Sequence, residues 1–258
     1  MRLWTVNSKE RPSVVAAALN SLLVCLLIVA VFWVSLLAIQ IRLDFSFIID
    51  YRKRLIDGFA MTLGLGIGGF LISFFIGLIS ALGQNSRILF FKYLSNFYVT
   101  VIRGTPLIAQ IYLFFYILGT AWGIENRFLA GILILSVFEG AYISEILRGS
   151  VLSLDKEQLE AGKAVGFTRG QTIRFVILPQ LVARTLPALT GQFASIIKDS
   201  SLLSMISVIE ITQTIREITA QNFRLFEGYL FLGFLYLCIT LPISFVSKRL
   251  ERKFYYEN

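Results

Sequence analysis

Glu160-Ala161-Gly162-Lys163-Ala164-Val165-Gly166-Phe167-Thr168-Arg169-Gly170-Gln171-Thr172-Ile173-Arg174-Phe175-Val176-Ile177-Leu178-Pro179 is the least hydrophobic long interruption in an otherwise mostly apolar chain. Ser153, just before it, reads as an N-cap, with Asp155 and Glu157 in the first turn, where carboxylates favour the positive end of the helix dipole. Gly166 supplies a C-terminal stop. Thr168-Arg169-Gly170-Gln171 then has the spacing of a capping box, and Ile173, Val176 and Ile177 share one face of the turns that follow. Pro179 lacks the N–H needed to continue without a kink. The pattern predicts two short amphipathic helices set at an angle, carrying Lys156, Lys163, Arg169 and Arg174. Such an elbow suits a soluble partner, although a solvated basic loop held on one side by topology has the same spacing.

The surrounding composition decides the class. With 258 residues and 56% hydrophobic content, and a mean hydropathy of +0.75, the chain is too apolar for a soluble domain and reads as an all-α polytopic membrane protein. Its formal charge of +8 lies between apolar spans, so topology explains it better than a nucleic-acid partner, and no nucleic acid is expected. Without histidine, imidazole catalysis and His metal ligation are excluded, and no metal site is expected. Cys25 and Cys238 sit in separate apolar spans and read as small buried hydrophobes.

Six transmembrane helices are predicted. Val14 to Ile41 is uncharged and longer than the roughly 20 residues a bilayer requires, and too long for the core of a signal peptide. Gly58 to Ser86 is the second, with Gly69, Ser73, Gly77 and Ala81 recurring every fourth residue as a close-approach face. Gly64, Gly66 and Gly69 also fit a dinucleotide fingerprint, but no strand precedes them. The third, Tyr93 to Ile124, carries Arg103, and Pro106 disfavours helix at Thr105, so the entry is expected to bend. Arg103 reads as a snorkelling anchor or as part of a substrate or gating site. Phe128 to Leu147, the fourth, contains Glu139 and Glu145. An ionisable group at the helix centre costs about 2.5–3.5 kcal/mol on insertion scales and faces protein or a watery cavity. Glu139 is therefore a candidate substrate contact, or a carboxylate bonded to a neighbouring helix, and Glu145 is expected to pair with Arg148 or stay hydrated. Leu181 to Ile197, kinked at Pro187, and Gly228 to Ser247 complete the set, with a polar external segment at Glu210 to Glu227.

Glu160-Ala161, Gly166 and Ile177-Leu178-Pro179 resemble the EAA loop of permease subunits in ATP-binding-cassette (ABC) importers. Gln171-Thr172-Ile173-Arg174, Leu186-Pro187-Ala188-Leu189, Lys198-Asp199-Ser200-Ser201-Leu202, Arg103-Gly104-Thr105-Pro106-Leu107 and Gly140-Ala141-Tyr142-Ile143-Ser144-Glu145-Ile146 resemble its polar amino acid branch. The resemblance implies a five-helix importer core at 58–247 with its EAA loop at about 150–179. Residues 1–57 would add an N-terminal helix and an external connection, and 248–258 a basic cytoplasmic tail. It also implies that Glu160, Ala161, Gly162, Gly166, Ile177, Leu178 and Pro179 dock on a separate ATPase, which binds ATP–Mg. This chain has no phosphate loop, so it is not expected to bind ATP by that route, and neither a cofactor nor catalysis of its own is expected. A second permease chain, identical or related, and an external solute-binding protein complete the expected assembly in a bacterial inner membrane. Gly162 stands where the family commonly has Ala. Phe138-Glu139 replaces the commoner Asn-Ser before Gly-Ala-Tyr, and a negative charge there would favour a cationic side chain or an α-ammonium group. Arg103, Thr105, Glu139 and Tyr142 are the candidate pathway residues. The alternative class is an ion-gradient-driven secondary amino acid transporter, whose repeat-related broken helices are not evident. With both termini and the elbow cytoplasmic, 16 of the 24 Lys and Arg fall inside, the bias that positive-inside topology requires.

Overall fold

The computed structural model describes residues 13–40, 43–154, 160, 164 and 166–255. The chain divides into two units, Met1–Phe45 and Ser46–Asn258. The first contains α1 (Val14–Ala38), whose N-cap Ser13 accepts the Ala16 N–H on its side chain. Leu27, Phe32 and Trp33 of this helix are exposed, as a lipid-facing surface would be.

The second unit is a helical bundle. A short α2 (Phe47–Asp50) leads into α3 (Arg52–Gln84), then α4 (Leu89–Gly104), α5 (Leu107–Tyr112) with a π-helical continuation over Leu113–Gly119, and α6 (Arg127–Leu152). After the elbow come α7 (Arg169–Thr172), a π-helical stretch Ile173–Ile177, α8 (Leu178–Asp199), a 3-10 turn Ser200–Ile206, α9 (Ile211–Asn222) and α10 (Leu225–Tyr255). Among the described residues five helices are long and apolar enough to cross a membrane, or six when α4 and the following helix count as one broken span.

The small-residue face of α3 is buried as expected: Gly69, Ser73, Gly77 and Ala81 all lie inside the bundle. A Cβ on Gly77 would fall 2.7 Å from Cγ2 of Ile143 and 3.0 Å from the Gly140 carbonyl oxygen, so the missing side chain lets α3 and α6 close together. One apolar core joins these helices through Leu65, Ile111, Leu135, Phe138 and Leu203. A second, smaller core at the other end of α3 gathers Phe47, Leu55, Ile211, Ile215, Ile218 and Leu232. The polar segment after Glu210 is thus a folded amphipathic helix. Its N-cap is Glu210, whose two oxygens accept the Thr212 and Gln213 N–H groups at 2.8 Å, and Arg54 of α3 pairs with Glu217 at 2.5 Å.

The third span bends where Pro106 was expected to bend it, by 111° between Gly104 and Leu107. Pro106 supplies no N–H, and Gln110 gathers the freed groups, its Nε2 donating to the Ile102 carbonyl at 2.8 Å and the Thr105 hydroxyl at 2.7 Å. Ser153 is the C-cap of α6, its hydroxyl donating to the Ser150 carbonyl, and the helix it was expected to begin falls on residues outside the described ones. One expectation is corrected: the second elbow helix is not short and does not stop at Pro179. Arg169–Ile206 runs on as one helix, with the π-helical Ile173–Ile177 changing the hydrogen-bond register directly before Pro179, the residue that brings no N–H.

Candidate functional site

The elbow is the first site. Glu160 and Ala164 are helical and exposed, whereas Ala161 and Gly162 lie outside the described residues. Gly166 has φ +79°, a left-handed conformation that suits glycine and ends the helix there. The capping box follows as the spacing predicts: the Thr168 hydroxyl accepts the Gln171 N–H, and the Gln171 side chain accepts the Thr168 N–H at 2.8 Å. A left-handed glycine and the capped start of α7 therefore stand two residues apart at a turn. Around it Phe167, Ile173, Phe175 and Leu178 expose apolar side chains, while Ile177 is half-buried and Pro179 exposed. An apolar cluster beside a polar turn is a surface fit for a protein partner.

The second site is on α6. Glu139 is fully buried, and Gln192 of α8 donates its amide to Oε2. Asp199, at the far end of α8, lies within electrostatic reach of the same carboxyl. Glu139 thus sits among α8 side chains, an amide on one side of its carboxyl and a second acid, Asp199, on the other.

Farther along α6, Glu145 is held by Arg148, with Nε to Oε1 at 2.8 Å and Nη2 to Oε2 at 2.7 Å. Arg103 reaches the same carboxylate at 3.2 Å, and its guanidinium lies 5.3 Å from the Tyr142 ring centroid. Gln84 donates to Glu145 Oε1 at 3.3 Å. The anchor of Arg103 is therefore a carboxylate and an aromatic face, and Tyr142 and Arg103 are brought together. Thr105 belongs to the helix break, where its hydroxyl donates to the Val101 carbonyl at 2.9 Å. These groups border a polar cavity of about 350 Å³ lined by Gln84, Asn85, Lys92, Asn96, Arg103 and Arg148 among others.

Sequence reasoning missed Gln84, Gln110, Gln192, Asp199 and Arg184, which bonds Ser153. The signal was present: an uncharged amide inside an apolar span is nearly as costly to bury alone as an ionised group is rare, so each such glutamine marks a partner to be found.

Residues 73–255 match the family described as "Binding-protein-dependent transport system inner membrane component". The glutamine transport system permease protein GlnP of Escherichia coli (strain K12) is 38% identical over 214 residues, spanning 82% of this chain and 98% of the relative. The L-cystine transport system permease protein TcyB of Bacillus subtilis (strain 168) is 36% identical over 76% of this chain and 84% of its own length. The crystal structure of an amino acid ABC transporter with histidines superposes at a TM-score of 0.76 with 33% identity, covering 83% of this chain and 100% of the other. The matches favour a permease over an ion-gradient-driven transporter. With its spans, its elbow and this similarity taken together, the chain belongs to the binding-protein-dependent transport system inner membrane components, the membrane-spanning permease subunits of ABC importers.

Proposed function

We propose that this permease carries a polar amino acid, handed over by an external solute-binding protein, and that ATP hydrolysis on a separate subunit works it through the elbow. The observation that carries the reading is the ordered turn at Gly166 and Thr168, with Glu160 exposed beside it. A rigid pair of helix ends transmits displacement where a slack loop would absorb it. Glu160, Ala161, Gly162, Gly166, Ile177, Leu178 and Pro179 form the contact with the ATPase subunit. That subunit holds ATP–Mg, and a second permease chain completes the pathway. The lysine and arginine distribution supports cytoplasmic termini in a bacterial inner membrane. Residues 58–247 form the importer domain, between an N-terminal segment over 1–57 and a basic inner tail over 248–258. The names of GlnP and TcyB, and the histidines of the related structure, place glutamine, cystine and histidine among the chemistries to test.

Within the pathway, Glu139 meets the substrate, and Arg103, Thr105 and Tyr142 lie on its route. Glu139 and Asp199 put two acids near one another in a low-dielectric setting, an arrangement that a cationic group relieves. The experiment for the whole reading is Gly166→Asp in the reconstituted complex. A side chain at φ +79° strains the turn, so the variant inserts normally but hydrolyses ATP without matching uptake. Normal coupled transport by that variant would overturn the elbow assignment.

A further inference from the structure

The elbow is useful as a lever only if its two roots are fixed to the helices it must move. One root is Ser153, the C-cap of α6; the other is the continuous helix that becomes α8. The last carbonyls of an α-helix lack intrahelical donors, and a cation is favoured at that end of the helix dipole. Arg184 of α8 meets both needs. Its Nη1 donates to the Ser153 carbonyl oxygen and, at 2.8 Å, to the Ser153 hydroxyl, across 31 positions of sequence. Close beyond it, the Ser247 hydroxyl of α10 donates to the Pro187 carbonyl at 2.9 Å, so the same stretch of α8 is also tied on its other side.

We propose that Arg184 is a positioning residue for energy coupling, bolting the α6 root of the elbow to α8 so that a push on the elbow displaces the inner parts of both helices together. The inference rests on the reading of the elbow as the ATPase contact. It gives a single contact a mechanical role: α6 carries Glu139, Tyr142 and Glu145, α8 carries Gln192 and Asp199, and the bolt makes one stroke act on both sets. Without it the α6 root of the elbow loses its direct tie to α8, the remaining links between the two helices, such as Gln192 to Glu139, lying farther from the elbow, and part of the stroke is lost as relative motion of the helix ends.

The test uses the complex with its ATPase and binding protein in proteoliposomes, supplied with a radiolabelled mixture of all the protein amino acids. Arg184→Met keeps length and packing but removes the donor. The expected result is unchanged co-purification with the ATPase, sustained hydrolysis, and several-fold less amino acid moved per ATP. Arg184→Lys, which keeps a donor, recovers a large part, and Ser153→Ala, which leaves the carbonyl, loses less than Arg184→Met. Spin labels at Val151→Cys and Val182→Cys, with Cys25 and Cys238 replaced by serine, give a second readout that needs no transport. Their separation stays constant between nucleotide-free and vanadate-trapped states with Arg184 and changes in Arg184→Met.

Unchanged amino acid per ATP in Arg184→Met, a proportional fall of uptake and hydrolysis, or a label separation indifferent to Arg184 overturns the bolt. Gly166→Asp in the same assay separates the two ideas. If it uncouples while Arg184→Met does not, the elbow stands and the bolt falls. If it transports normally while Arg184→Met uncouples, the elbow assignment falls and the α6–α8 tie stands alone.

Discussion

Two buried carboxyls carry different consequences. Glu210 lies outside the spans, and burial raises its carboxyl to about 7 against the hydrogen bonds it accepts from Thr212 and Gln213. An unfolded glutamate titrates near 4.3. Between those values the folded chain holds the proton more tightly, so stability rises as pH falls from about 7 towards 4.3 and is lowest above that window. Glu210→Gln keeps an acceptor for the cap and is expected to flatten this slope, read as the difference in melting temperature between pH 5 and pH 8 in detergent. A slope equal to the parent's would contradict it. Glu139 instead bears on selectivity. Glu139→Gln in the reconstituted complex is expected to lower arginine uptake relative to glutamine several-fold, and an unchanged ratio would remove Glu139 from the pathway. The position of Glu139 in an apolar run was legible from sequence. Its partners were not, because Gln192 and Asp199 arrive from a helix 53 and 60 positions on, and only packing chooses which of the polar groups on that helix face α6.

Among the elements, the long spans were readable because a bilayer satisfies no backbone groups, so an unbroken apolar run of sufficient length has to be helix. The breaks were harder. Where the third span bends depends on Gln110 reaching back to Ile102 and Thr105, a side-chain choice that no periodicity records. The glycine stripe of α3 was plain, and it yields a graded prediction. A Cβ at Gly77 would press on Ile143 at 2.7 Å, whereas at Gly64 its nearest neighbour is Phe128 at 3.7 Å, an ordinary contact. Gly77→Ala is expected to destabilise the bundle by about 1–3 kcal/mol through overpacking. Gly64→Ala is expected to be neutral or to gain up to about 1 kcal/mol of helix propensity. Thermal unfolding of the two purified variants checks the order, and equal behaviour would deny the close approach of α3 and α6.

For the molecule as a whole, charge and compactness point to separate experiments. The bias of lysine and arginine toward one side predicts that a cysteine at position 166 reacts with an impermeant thiol reagent only from the cytoplasmic side, and one at 216 only from outside. Labelling of position 166 from outside would invert the topology and remove the elbow from any cytoplasmic ATPase. The division at Phe45 and Ser46 predicts that a chain starting at Ser46 keeps the cores built on Leu65 and Ile215, visible as an unchanged melting temperature. The membrane class and the elbow's position were evident from residue types alone, whereas the second elbow helix was misjudged because a proline reads as a stop when nothing shows that a π turn precedes it. That turn, over Ile173–Ile177, has a mechanical meaning of its own. A helix holding a surplus residue is a rod with a dislocation: the segment before it and the segment after it are rotated out of phase. If the elbow meets an ATPase as proposed, the face it turns to that motor and the side chains of α8 can therefore be tuned by separate substitutions, although one shaft carries both.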